Sequence, residues 1–279
     1  MQLKGKWYIM EDNQNLKDSR TMMIDRKRVR EAFASYTRKY DVSDPKIALK
    51  IAHTYRVAGN CEQIARSIGL SEEEVEFAWL SGMLHDVGRF EQVKRYNTFI
   101  DSESVDHAEF GADLLFGEEK LIEDYTHDRS LDAMMETVIR QHNKYRIDEA
   151  VGGDTLVFCN ILRDADKVDI LRVNVESPME EIYNVTEDVL FSSGVSEKVM
   201  EQVRMHKAVN RDVMDSPAEH LIGHMALAFE LVYPRSWELA KEQGYLYKMF
   251  EFPSKNPQTL AAVAATRQEL EEFYEKKQI

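Results

Sequence analysis

The chain has 279 residues and a formal net charge of −14 at pH 7, which suits one large domain or a domain with an appendage and is ample to bury a core. The negative balance disfavours a broad grip on a polynucleotide backbone, although a metal-lined cleft can still receive a small anion. Two cysteines in unrelated segments, Cys61 and Cys159, argue against a disulfide framework, and neither a membrane-length apolar run nor a signal-peptide core is present, so a soluble, cytoplasmic protein is expected.

Residues 1–24 carry one apolar patch, Trp7-Tyr8-Ile9-Met10, before a polar stretch, and read as an N-terminal arm. A first helix is expected from about Asp25 to Lys39, where Val29, Ala32, Phe33 and Tyr36 recur at helical spacing. Asp44 followed by Pro45 opens the next. Along it Ile47, Ile51, Tyr55, Ala58, Ala65 and Ile68 trace one apolar face, while His53 falls with Leu49, Val57, Asn60 and Ile64 on a second. A helix apolar on two sides is interior, so His53 should be buried.

Gly69 ends that helix, and Ser71 with Glu74 forms a capping-box pattern for the following one. There Val75, Trp79, Gly82 and Asp86 share a face, with Gly82 leaving room for an approach to the carboxylate and Gly88 loosening the helix end. Residues 90–105 read as a loop whose Tyr96, Thr98, Asp101 and Ser104 are candidate substrate contacts. Asp106 and Glu109 predict a cap that places His107 in the first turn of a helix running through Leu115.

A helix over about 131–144 aligns Met135, Val138 and His142. After the Gly152-Gly153 break, a helix from about Thr155 to Val173 aligns Cys159, Leu162, Asp166, Ile170 and Val173; Asp164 and Asp169 fall off that line and read as solvated. Beyond Pro178, helices are expected at about 180–191, 195–209, 216–232, 234–250 and 257–276. Period-2 alternation is almost absent, so the expected fold is all-α.

The chemistry concentrates in one ordered set: His53, the doublet His85-Asp86, His107, His142 and Asp166. Histidine is scarce here, and each of these positions sits on or at the edge of a predicted helix. Imidazole nitrogen with carboxylate oxygen suits borderline divalent metals such as Zn, Fe, Mn or Co. His220 and His224 also lie four apart on one face, but without the glutamate of a zincin motif they read as ordinary helix-face histidines. His127 and His206 read as surface residues.

The ordered set, over roughly residues 45–175, resembles the HD-domain superfamily of metal-dependent phosphohydrolases. That resemblance implies an all-α metal-binding domain, placed at residues 25–178. Residues 179–279, with amphipathic helices but no compact ligand set, are expected to form a C-terminal helical extension packed on it. The extension's aromatic residues, Phe229, Tyr233, Trp237, Tyr245, Tyr247, Phe250 and Phe252, are expected to bury against the core. The resemblance also implies that His85 and Asp86 converge on one ion, although neighbouring helical residues point about 100° apart. His53, His85, Asp86 and Asp166 would form a mononuclear site of the kind simple HD nucleotidases use. His107 and His142, with Asp86 as bridge, would add a second ion as in the dinuclear branch; the alternative for these two is a helix-start and a solvated histidine. One or two ions among Mn, Fe, Co, Zn or Ni are expected.

HD hydrolases often carry a basic residue after the doublet, where this chain has Arg89 and Lys94. Arg89 and Lys167 are candidate contacts for phosphoryl charge, a solvated cation being the alternative for Arg89, and Asp86 or Asp166 is a candidate to orient water. The implied substrate is a small phosphomonoester or phosphodiester, most often a nucleotide. Asn143 after His142, and no following Gly-Tyr-Pro, depart from the cyclic di-GMP phosphodiesterases. Two rivals stay open: a di-iron, dioxygen-using HD protein like inositol oxygenase, and a non-catalytic nucleotide sensor.

Overall fold

The computed structural model describes residues 24–277, so the Trp7–Met10 patch lies outside the described residues. The described chain is all-α. Its first half comprises α1 (Arg26–Thr37), α2 (Pro45–Ser67), α3 (Glu72–Leu84), α4 (Val87–Tyr96), α5 (His107–Phe116), α6 (Ile122–Tyr125), α7 (Asp132–Gln141) and α8 (Gly153–Glu176). There follow α9 (Met179–Tyr183), α10 (Glu187–Ser192), α11 (Glu197–Arg204), α12 (Pro217–Ala226), α13 (Pro234–Gln243), α14 (Tyr245–Met249) and α15 (Pro257–Lys277).

Local chemistry sets the starts. Asp25, Asp44 and Asp106 accept backbone N–H groups at the heads of α1, α2 and α5, and Ser71 with Glu74 completes a reciprocal capping box on α3. The long helices α2 and α8 lie side by side, with α3 against both, α7 against α8, and the α4–α5 pair closing the near end. Gly82 is what lets α3 approach α2: a Cβ there would stand 2.6 Å from Ala58 Cα. Its service is therefore helix contact rather than room at a carboxylate. Gly88 likewise does not loosen a helix end, because it packs α4 onto α5, where a Cβ would meet His107 O at 2.4 Å.

Three expectations are corrected. The 90–105 segment is not all loop: α4 runs to Tyr96, and a single 3-10 turn covers Asp101–Glu103. Phe90 and Val93 are buried on this helix, whose many polar residues masked its period. Asp164 and Asp169 are not solvated but fully buried. The reason is that α8 packs against α2, α3 and α7 and also against α12, α13 and α14, so residues off its apolar line are covered too. The later helices are also shorter than their periodicity suggests. Left-handed residues at Asn184 and Gly244 divide two of the predicted spans, and His206 (φ 52°) follows the end of another. Trp237, Phe229 and Phe252 are buried, while Tyr247 is exposed.

Candidate metal centre

Each residue of the ordered set reaches one point from a different element. His53 comes from the middle of α2 and Asp166 from the middle of α8. His107 is the first residue of α5, and His142 is the C-cap of α7. His85 and Asp86 sit between helices: His85 caps the end of α3, and Asp86 (φ −107°, ψ 16°) is the N-cap of α4. That break frees the doublet from the 100° divergence of a continuous helix. All six side chains converge.

The Asp86 carboxylate is the hub. Its Oδ2 lies 3.3 Å from His85 Nε2 and 3.5 Å from His53 Nε2, and its Oδ1 lies 3.6 Å from His107 Nε2 and 3.9 Å from His142 Nε2. Asp166 Oδ1 is 3.1 Å from His53 Nε2 and 4.0 Å from His85 Nε2. Two donor groups that can hold a metal ion therefore share Asp86: His53 with His85, and His107 with His142.

The far side of every imidazole is tied down. His85 Nδ1 donates to Gly82 O (2.8 Å) and His142 Nδ1 to Ile139 O (2.7 Å); a carbonyl only accepts, so both protons are on Nδ1. His53 Nδ1 pairs with Asp169 (2.7 Å) and His107 Nδ1 with Asp101 (2.6 Å). Arg172 grips Asp169 through two nitrogens at 2.8 Å each. Neutral imidazoles so oriented direct four Nε2 lone pairs inward, with His53 and His85 3.3 Å apart and His107 and His142 3.1 Å apart. Facing lone pairs repel unless a positive charge lies among them. Burial, with His107 and His85 nearby, pushes His142 down to about 3, and burial with Arg89 lowers His107 as well, so a proton is a poor candidate there. His53 differs: burial and Lys50 oppose its protonation, but Asp166 and Asp169 outweigh them and raise it. The donor set and its orientation fit divalent metal.

Cations frame the carboxylates. Burial alone would raise the Asp86 carboxyl, yet Lys50 and His85 hold it well below the usual carboxylate range. Lys50 Nζ lies 2.7 Å from Asp86 Oδ2. Arg89 donates through Nη1 to Gln92, Phe99 O and Asp101 at 2.7–2.8 Å, and its buried Nε, without a hydrogen-bond partner, lies 3.7 Å from Asp86 Oδ1. Lys167 is not brought into this cluster. Its Nζ lies 3.4 Å from Glu230, lining a separate cleft with Arg163 and Tyr145. His220 and His224 also stand apart, His224 hydrogen-bonding Asn174. Lys94 pairs with Glu91 on the exposed side of α4.

Sequence reasoning missed Lys50, Asp169 and the part that Asp101 plays. The first lies three residues before His53 and the second three after Asp166, which is same-face spacing on a helix, so a signal existed. A scan against protein-family models matches residues 51–171 to the HD domain. No curated protein and no solved structure matches the chain.

Proposed function

This chain carries an HD domain at residues 51–171, and on that premise we propose that it is a metal-dependent phosphohydrolase acting on a small phosphomonoester or phosphodiester. The observation that supports this reading best is the division of Asp86 between two histidine pairs whose Nε2 atoms converge on its separate oxygens. In this reading His53, His85, Asp86 and Asp166 would hold one divalent ion, and His107 and His142, with Asp86, would hold a second where two are bound. Such ions polarise phosphoryl oxygen and bring the pKa of water from 15.7 toward roughly 7.

The protein's own groups do the rest. Asp166 is the most accessible of the six, with 17% of its side chain exposed against 1–5% for its companions His53, Asp86, His107 and His142. In this reading it would orient the attacking water. Arg89, its Nη1 held by three acceptors, offers a positioned cation to charge developing beside Asp86. Lys167, turned to Glu230, is left out of this assignment. Asp101 and Asp169 keep His107 and His53 in the tautomer that presents Nε2 inward.

The test is phosphate release from a panel of nucleotides and sugar phosphates by protein loaded with Mn, Co, Fe or Zn. Turnover that needs the metal and disappears in Asp86→Ala supports the assignment. No phosphate release from any substrate by protein shown to hold metal would overturn it. Dioxygen consumption by iron-loaded protein would move the chain to the oxygenase chemistry instead.

A further inference from the structure

Lys50 lies one helical turn before His53, and its ammonium makes one hydrogen bond among the described residues, to Asp86 Oδ2. That oxygen is the one facing His53 and His85. An ammonium and a divalent ion at this position would draw on the same carboxylate oxygen and repel each other at short range in a poorly solvated site. Arg89 is also near Asp86, but its three acceptors fix it in place. Lys50 has no such anchor. Its side chain is 17% exposed, and it lies 5.3 Å from the centre of the Phe99 ring, which Arg89 approaches at 5.7 Å on its own account. A flexible four-carbon stem can swing the charge outward along this half-buried ring.

We propose that Lys50 is a displaceable counter-ion that neutralises Asp86 before metal arrives, yields the carboxylate to the ion, and then clamps the phosphate group of the substrate. This rests on the metal-dependent reading above. The released ammonium would be repelled by the ions but attracted to a bound phosphate, so it would gain a partner only when substrate is present. Two consequences follow that a purely structural lysine would not produce. Removing the charge should strengthen metal binding, because no ion pair has to be broken, and should weaken the hold on phosphate.

The experiment titrates Mn with full-length wild-type protein, Lys50→Gln, Lys50→Arg and Lys46→Gln, using a competing chelator. It then measures inorganic phosphate binding to each Mn-loaded protein. Lys46, on the same helix as Lys50, pairs with Glu181 of α9 and serves as the control for loss of charge without contact to Asp86. Lys50→Gln is expected to bind Mn about tenfold more tightly and phosphate about tenfold more weakly. Lys50→Arg and Lys46→Gln should stay near wild type in both. Unchanged Mn affinity in Lys50→Gln, or unchanged phosphate affinity, overturns the inference about Lys50. Failure of the wild-type protein to bind any of Mn, Co, Fe or Zn overturns the metal-dependent reading instead, so the two failures are distinct; where another of these ions binds and Mn does not, the same titration is run with that ion.

Discussion

Asp86 Oδ1 lies 3.6 Å from His107 Nε2, while the other oxygen of the same carboxylate is turned to His85 and His53. One side chain is thus common to two half-sites that share no other donor group. Replacing His107 or His142 by Ala should remove about one metal equivalent and leave the other half-site loaded, whereas Asp86→Ala should remove both. Metal content of purified protein, measured elementally, checks this. Full metal content in both histidine variants would reduce the centre to a single ion at His53, His85, Asp86 and Asp166.

Asp101 accepts from His107, Arg89 and Gln92 at 2.6–2.9 Å, so it holds both a nitrogen donor and the fixed cation. Asp101→Ala is expected to weaken the His107 half-site by about 10–100-fold, the usual range for loss of an outer partner of a ligating histidine. Affinity at the His53 half-site should be nearly unchanged. Equal weakening at both would show that Asp101 acts on the fold rather than on His107.

Asp164 provides a pH test away from the donors' inward face. It holds the segment leading into α13 by accepting from Val232 N, Tyr233 N and Ser236 Oγ at 2.7–3.0 Å, while its other oxygen is buried without a partner. Burial, only partly offset by Lys167 and these donors, raises its pKa from 3.8 to about 6. The folded state then holds this proton more tightly than the unfolded state. The associated stability is complete below pH 3.8 and is lost as pH rises through about 6. Asp164→Asn should therefore stabilise the metal-free protein at pH 8, by on the order of 2 kcal/mol, and by much less at pH 5. Denaturant titrations in excess chelator read the difference. A variant with the same effect at both pH values would place the Asp164 pKa in the ordinary range.

Gly88 links backbone sterics to the centre. A Cβ there would stand 2.4 Å from His107 O and 2.7 Å from Gly111 N, both backbone atoms that cannot step aside alone. Gly88→Ala should cost about 1–3 kcal/mol and displace His107 from Asp86, losing the His107–His142 ion first. Gly59→Ala meets nothing within 4 Å and is the contrasting case. It should stabilise α2 by up to about 1 kcal/mol. Thermal melts and metal content together separate the two outcomes.

Much of this arrangement was legible in the chain. The caps at Asp25, Asp44, Ser71 and Asp106 are local chemistry, and they locate helix starts with little help from the rest of the molecule. The order and scarcity of His53, His85-Asp86, His107, His142 and Asp166 pointed to a single chemical site, and the structure brings all six together. The two-sided apolar pattern of α2 correctly placed His53 inside.

What periodicity could not supply is which neighbour covers each face. Asp169 read as solvated because it left the apolar line of α8, yet His53 and Arg172 satisfy it there, and a buried charge is tolerated only with such partners. Lys167 and Arg89 looked equivalent as basic residues beside acids, but packing sent one to Glu230 and locked the other beside Asp86. The break at Asp86 lies between tight crossings at Gly82 and Gly88, contacts between segments distant in sequence that periodicity does not show. Local spacing determines which residues share a face; only the assembled helices determine the distance between an Nε2 on α2 and a carboxylate oxygen at the head of α4.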